Sequence, residues 1–288
     1  MLVATDTLRR MTPELASALT GALFAGLRHG RKRMAVWISN SDESGTGDPL
    51  GKFLVGGYYA SEDYWRDFAG EWQRKVLDGP PLIPYLHMNE IRREEWRKKH
   101  NISDNDAQRR VSEAVLLLSG ADKPILGTSV ILRADLHDIV HRKSKEYRKK
   151  PHIGIDEPDY FCFVAYAKTA IAYINARHPE VKEVDFVVAK KGKLTDRLKY
   201  FHEEVKRLLD PPLSDLVGEL IPATMETRLP LQAADIVLWH MQRFYANTMD
   251  TTDERRLNVL MKDTDGIPHE WKRSDLERFT DSLFKRLD

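Results

Sequence analysis

The order of apolar segments along the chain restricts its fold more than any other feature. Two strand-like runs, residues 34–39 and 52–60, flank a turn-rich segment and predict a β-hairpin. Helices and apolar runs then alternate, and further strands are expected at 82–86, 125–132, 184–189 and 216–223. A hairpin followed by this alternation indicates an α/β fold with a mixed sheet covered by helices on both faces.

The helical segments suggest three regions. Thr12-Pro13 begins a leucine-striped helix, so residues 1–33 are expected to form an N-terminal helical extension. Residues 34–248 are predicted to form the core domain, ending in an apolar helix that Pro230 opens and that runs to about Tyr245. Residues 249–288 are expected to form a C-terminal helical tail. The chain of 288 residues, 42% of them apolar, is long enough for this organisation.

Composition excludes some classes of protein. Lys and Arg number 45 against 44 Asp and Glu, so any contact with nucleic acid needs a local basic patch rather than overall charge. The single cysteine, Cys162, excludes an internal disulfide framework and fits a reducing compartment. No run approaches the roughly 20 apolar residues of a membrane helix, and the N-terminus lacks a secretory pattern. We therefore expect a cytoplasmic protein without membrane contact.

Two acidic segments could carry chemistry. Asp42-Glu43-Ser44-Gly45 follows the first strand, where paired carboxylates can hold a cation such as Mg²⁺, or where the same residues can form a solvated turn. Asp235 lies in an apolar helix, one turn after Gln232. A buried carboxylate needs a partner, which could be a metal, a backbone group, or an arginine such as Arg228 or Arg243.

The remaining candidates are weaker. His87 and Glu90 follow the expected strand at 82–86 and could face a site, or could pack and cap a helix. Lys190, Lys191 and Lys193 could contact phosphates, as could the basic stretch 142–150, although charge runs are often only solvated surface.

Taken together, these segments resemble the bacterial family catalogued as domain of unknown function 3800. The resemblance covers about residues 34–245. It rests on Asp42-Glu43-Ser44-Gly45, the glycine-rich 53–58, a helix with Trp65 and Trp72, the segment 85–90, and Leu231-Gln232-Ala233-Ala234-Asp235. The family is similar in fold to ribonuclease H and retroviral integrases, so the resemblance implies a ribonuclease-H-like fold.

The resemblance also implies an activity and a site. Such folds hydrolyse phosphodiester bonds of DNA or RNA with two Mg²⁺ or Mn²⁺ ions about 4 Å apart. It implies that Asp42 and Asp235 are metal ligands and makes Glu43 and Glu90 candidates for additional ligands. For such an enzyme we expect the nucleic-acid contacts to come from Lys190, Lys191, Lys193, Gln232 and His87. The systems in which the family generally occurs imply a role in defence against phage or mobile elements.

One position departs from the family pattern. Ala189 stands at the end of the central strand, where an aspartate is expected, and Asp185 is four residues too early to replace it. Three explanations stay open: natural impairment, substitution by another acid, and an engineered, inactivated variant. The sequence thus favours a metal-dependent nuclease, active or disabled at Ala189.

Two alternatives remain. One is a non-catalytic module that binds nucleic acid or protein, and the other is a hydrolase of small phosphate esters. The terminal helices could mediate a homodimer or bind a partner protein.

Overall fold

A computed structural model describes residues 35–45, 51–120, 124–147, 157–190, 193–262 and 266–285. The strands are β1 (Ala35–Ser44), β2 (Lys52–Ser61), β3 (Ile125–Leu132), β4 (Val181–Ala189), β5 (Val217–Ala223) and β6 (Gly266–Glu270). The helices are α1 (Glu62–Trp72, continued by a π-helical turn at Gln73–Leu77), α2 (Met88–Ile91), α3 (Glu94–Lys99), α4 (Asp104–Leu118), α5 (Arg133–Tyr147), α6 (Pro158–Arg177), α7 (Lys193–Leu208), α8 (Pro230–Tyr245), α9 (Thr251–Met261) and α10 (Arg273–Lys285). A 3₁₀ turn, Ser214–Leu216, precedes β5.

The strands form one mixed sheet in the order β5-β4-β1-β2-β3-β6. β1, β2 and β3 are an antiparallel meander, β4 lies parallel to β1, and β5 lies parallel to β4. Helix α7 connects the consecutive parallel strands β4 and β5, as is usual for parallel pairing. The predicted α/β class is confirmed, and the six-stranded mixed sheet flanked by helices is compatible with a ribonuclease-H-like fold with extra helices.

Strand alternation divides the interior into two cores, one on each face of the sheet. On the first face, Ile38, Leu54 and Val187 pack against helices α1, α4, α8 and α9. On the second, Phe53, Tyr59 and Phe186 pack against α5, α6, α7 and α10. Asp42 on β1 and Asp235 on α8 belong to the first face, so that face positions the candidate site.

Local signals explain where the first-face helices begin. Ser61 caps α1 by accepting a hydrogen bond of 3.2 Å from the N–H of Tyr64. Ser103 and Asp106 form a capping box at the start of α4. Pro230 occupies the first turn of α8, where its missing N–H is not needed.

Three expectations for the elements differ from the structure. Residues 82–86 are not a strand, since Pro84 has no N–H to offer a ladder. β1 continues beyond residue 39 to Ser44, because β2 pairs with it along this length. The segment after residue 249 supplies, besides helices α9 and α10, the edge strand β6, which runs parallel to β3. The N-terminal extension lies outside the described residues. Among the helices that are described, none combines the length and the apolar character needed to cross a membrane.

Candidate functional site

Asp42 and Ala189 lie side by side at the carboxyl ends of two neighbouring parallel strands. β1 pairs with β4 in a register that joins Asn40 to Val187 and Ser41 to Val188. Asp42 and Ala189 are the next residues on their strands, and both are buried. Carboxyl ends of adjacent parallel strands meet at one edge of a sheet, which in open α/β folds is where ligands bind.

Both side chains project toward helix α8. By alternation Asp42 shares a face with Ile38, and Ala189 shares a face with Val187; Ile38 and Val187 both belong to the core beneath α8. The strand partner of Asp42 on its other side is Gly56. A Cβ on Gly56 would come within 3.1 Å of Leu238 Cδ2, so α8 crosses the sheet directly over this position.

Asp235 occupies the same helical stripe as Leu238, one turn earlier. Its carboxylate is buried, and Oδ2 accepts a hydrogen bond of 2.7 Å from the backbone N–H of Met88. Met88 is the first residue of α2, whose N-cap residue, His87, makes no capping hydrogen bond with its own side chain. Asp235 therefore caps the short helix α2 from α8, by accepting the hydrogen bond of an N–H that has no partner within the helix.

His87 lies between two carboxylates. Its Nε2 is 3.5 Å from Asp235 Oδ1, and its Nδ1 is 3.8 Å from Glu90 Oε1. The other oxygen of Glu90 accepts a hydrogen bond from the hydroxyl of Tyr85. Burial, and then the hydrogen bond to Glu90, raise the pKa of Tyr85 to about 12, so this hydroxyl stays protonated at neutral pH. His87 thus lies between Asp235 and Glu90, an arrangement that the sequence alone did not predict.

Gln232 is fully buried and serves as an internal clamp. Its Oε1 accepts hydrogen bonds of 2.9 Å from Trp72 Nε1 and from the backbone N–H of Leu86, and its Nε2 donates one of 2.9 Å to Met225 O. A side chain with no exposed surface cannot touch nucleic acid, so the expectation of such a contact is corrected. Its role is to hold α1 and the loop before α2 against α8.

Glu43 and Lys190 directly follow Asp42 and Ala189, and the backbone N–H of Glu43 donates a hydrogen bond of 2.8 Å to Asp42 Oδ1. Alternation places Glu43 on the opposite face of β1, beside Val55, which belongs to the second core. Lys190 is exposed directly after β4, and its backbone N–H donates to Ala223 O at 2.8 Å. Lys191 and the side chain of Lys193 lie outside the described residues. Helix α5 covers 133–147, so part of the basic stretch 142–150 is helical.

The two arginines considered as partners of Asp235 each interact with another aspartate. Arg243 Nε lies 3.2 Å from Asp253 Oδ2. Arg228 is buried, and burial lowers its pKa against the opposing effect of Asp185. Asp185 Oδ1 accepts a hydrogen bond of 2.9 Å from the N–H of Glu219. Asp185 lies four residues before Ala189 on β4, which is about 13 Å at the usual rise per residue.

A scan of protein-family models and a search of curated proteins found no match to this chain.

The number of oxygen ligands near Asp42 and Asp235 decides whether the candidate site can hold divalent metal ions. In the described ranges, no group of three or more His, Cys, Asp or Glu side chains is arranged to hold a metal ion. Asp42 and Asp235 supply two carboxylates, and the methyl group of Ala189 supplies no ligand. A two-metal site needs more oxygen ligands than this. The residues present therefore do not fit the two ions that the resemblance implies.

A second cluster escaped the sequence analysis. Asp253 in α9 has no exposed surface and lies near three arginines, Arg92, Arg243 and Arg256, with His240 Nε2 at 3.9 Å. These residues are spread over 165 positions and share no motif. One sequence signal for this cluster is Arg243, a cation in the last turn of an apolar helix, which needs an anionic partner.

Proposed function

We propose that the core domain has the architecture of a metal-dependent nuclease of the family it resembles, and that Ala189 is the position that keeps this chain from cleaving phosphodiester bonds. DNA or RNA is the proposed ligand, and the cytoplasm is the proposed compartment. Mg²⁺ or Mn²⁺ is the ion proposed for the chain once position 189 carries a carboxylate. A role in defence against phage or mobile elements belongs to the same proposal.

The observation that carries the proposal is the register of β1 and β4. It supports a site in which position 189 stands beside Asp42, on the face that Asp235's helix covers. An acid at 189 would add the missing carboxylate at the strand ends. Two-metal hydrolysis uses clustered carboxylates of this kind to hold the ions that stabilise the attacking and leaving oxygens.

The test is to restore the carboxylate with Ala189→Asp and to measure cleavage of single- and double-stranded DNA and RNA with Mg²⁺ or Mn²⁺. Cleavage is expected to exceed that of the unaltered chain by roughly 100-fold or more, since one electrostatic group at a reacting centre is commonly worth that much. Asp42→Asn added to Ala189→Asp is expected to abolish it. Ala189→Glu, with a longer reach, is the second variant.

The matched control is Ala176→Asp, the same change at an exposed position of α6. It should leave the chain inactive. If the folded Ala189→Asp and Ala189→Glu proteins cleave none of the four substrates, or if Asp42→Asn leaves their cleavage intact, the nuclease proposal is wrong.

The second candidate is a non-catalytic binding module, favoured by the contacts of Asp235. Both of its carboxylate oxygens already face protein groups, the N–H of Met88 and the ring of His87. Calorimetry of Ala189→Asp with MnCl₂ discriminates between the candidates. The nuclease architecture predicts saturable binding that Asp42→Asn removes, whereas a binding module predicts none.

A further inference from the structure

Arg92 and Arg243 both pack on the ring of Trp239. The Arg92 guanidinium carbon is 4.7 Å from the ring centroid, and that of Arg243 is 4.8 Å from it. We call these three residues the tryptophan stack. Contacts of this kind combine cation–π attraction with stacking of planar groups, and they fix the orientation of an otherwise flexible arginine.

The same two guanidinium groups share one buried anion. Arg92 NH1 lies 3.2 Å from Asp253 Oδ1, and Arg243 Nε lies 3.2 Å from Asp253 Oδ2. Asp253 has no exposed surface, whereas the two arginine side chains keep 31% and 28% of theirs. Each side chain is therefore anchored from the inside and keeps part of its surface exposed, with Arg243 also donating a hydrogen bond to Thr248 O.

The charges around Asp253 do not balance. Arg256 is a third cation, with NH1 3.7 Å from Asp253, and Asp250 is a second anion, 3.7 Å from Arg92 NH2. Three arginines thus face two aspartates. His240 adds no charge at neutral pH, because burial lowers its pKa. Among the described residues, the two aspartates offset two of the three cations and leave one positive charge, and Arg92 and Arg243 are the arginines with exposed surface that could present it to an anion.

The tryptophan stack adjoins the candidate site. Asp235, Trp239 and Arg243 recur every four residues on α8, so each step moves about 6 Å along one side of the helix. Trp239 Nε1 donates a hydrogen bond of 3.2 Å to Asn89 Oδ1. Asn89 follows Met88, whose N–H binds Asp235. A polymer lying over Asp235 could continue directly onto the stack.

We propose that the tryptophan stack binds backbone phosphates of a nucleic-acid strand beside the Asp42–Asp235 site. This inference rests on the proposed function and names the surface that holds its ligand. Planar guanidinium groups match the geometry of phosphate oxygens and form charge-assisted hydrogen bonds with them. Anchoring by Asp253 and Trp239 removes much of the side-chain entropy that binding would otherwise cost.

The test uses the unaltered chain, so that no cleavage interferes. Fluorescein-labelled single-stranded DNA, double-stranded DNA and RNA of equal length are titrated by anisotropy between 50 and 200 mM salt. Arg92→Gln and Arg243→Gln are each expected to weaken binding about tenfold, the worth of one charge-assisted hydrogen bond. Each should also lower the slope of log Kd against log salt by about one, as loss of a phosphate contact does.

The matched control is Arg142→Gln, the same change on α5 at the opposite face of the sheet, where Arg142 pairs with Glu277. Thermal melts of every variant check folding. Because Arg92→Lys and Arg243→Lys keep the charge, they should retain the salt slope while losing part of the affinity.

Two results would overturn the inference: no binding of any probe by the unaltered chain, or equal weakening in Arg142→Gln and the two stack variants. Cleavage by Ala189→Asp is measured separately. A nuclease that binds independently of the stack contradicts only this inference, and stack-dependent binding without cleavage contradicts only the proposed function.

Discussion

The carboxylate of Asp235 accepts a hydrogen bond from the backbone N–H of Met88, 2.7 Å away across 147 residues of sequence. This contact makes a residue of α8 the cap of the short helix α2. It brings His87 and the helix that carries Glu90 against the face where Asp42 and Ala189 lie. The candidate site therefore depends on a hydrogen bond that also holds α2 against α8.

Removal of the Asp235 carboxylate should reduce stability. Asp235→Ala leaves the buried N–H of Met88 without its acceptor, at an expected cost of about 1–3 kcal/mol in the free energy of unfolding. Asp235→Asn keeps an acceptor oxygen and should cost less. Urea denaturation measures both, with Asp67→Ala, an exposed aspartate of α1, as the control. Equal free energies of unfolding for Asp235→Ala and Asp67→Ala would show that the hydrogen bond between Asp235 and Met88 does not stabilise the fold.

Gln232→Leu should be more damaging, because Trp72 Nε1 and the N–H of Leu86 lose a common acceptor in a dry interior. At about 1–3 kcal/mol for each unsatisfied buried group, the expected loss is roughly 2–5 kcal/mol. Gln242→Leu is the same change ten residues later on α8, and Gln242 Oε1 has no hydrogen-bond partner among the described residues. Thermal and urea unfolding should separate the two variants clearly. A cost for Gln242→Leu as large as that for Gln232→Leu would argue against the clamp.

Gly57 on β2 is expected to tolerate no side chain. A Cβ there would lie 1.9 Å from the backbone oxygen of Asn40, a distance that real atoms do not reach. Gly57→Ala must displace β1 just before Asp42, so we expect loss of several kcal/mol or failure to fold. Gly70→Ala in α1 meets nothing within 4 Å and should stabilise the protein by about 0.5–1 kcal/mol. Soluble yield and melting temperature of the pair provide the measurement. A Gly57→Ala protein as stable as the unaltered chain would show that β1 and β2 approach less closely here.

Asp159 should make stability depend on pH. Burial raises its pKa to about 6 in the folded protein, although Arg197, with NH2 3.1 Å from Oδ2, opposes the shift. An unfolded aspartate titrates near 3.9. Between about pH 4 and pH 6 the folded state therefore holds a proton that the unfolded state has released. Its contribution to stability is present below pH 4, is lost as pH rises through this window, and is level above it.

Asp159→Asn removes this titration. Comparison of urea unfolding at pH 4 and pH 7 should show the variant gaining about 3 kcal/mol relative to the unaltered protein, two pKa units at 1.36 kcal/mol each. A difference between the two proteins that stays constant over this range would mean that Asp159 is not perturbed.

Much of the fold was predictable because strong local signals mark it. Strand Ile125–Leu132 and helix Pro230–Tyr245 have the bounds that their apolar runs and breakers indicated. The end of β1 was missed because Asn40 and Ser41 are polar, and only pairing on both sides makes them strand. β6 was missed because its five residues include Gly266 and Pro268, which have low strand propensity.

The sequence indicated which acids to consider for a site, but it could not indicate the groups that these acids contact. Asp42 and Asp235 stand out as carboxylates beside apolar segments, but the neighbour of Asp42 depends on strand register, which no local pattern encodes. The partner of Asp235 is a backbone N–H, which carries no residue-type signal. The arginines around Asp253 come together only when α2, α8 and α9 have packed.

We have proposed that Asp42 and Asp235 form a cation site that is complete only when position 189 carries a carboxylate. Anomalous diffraction from crystals of Ala189→Asp soaked in MnCl₂ would locate the ion. We expect a manganese peak in contact with Asp42 and the introduced carboxylate, facing Asp235, and no such peak in crystals of the unaltered chain. A folded Ala189→Asp protein that shows no manganese between these side chains would contradict this proposal.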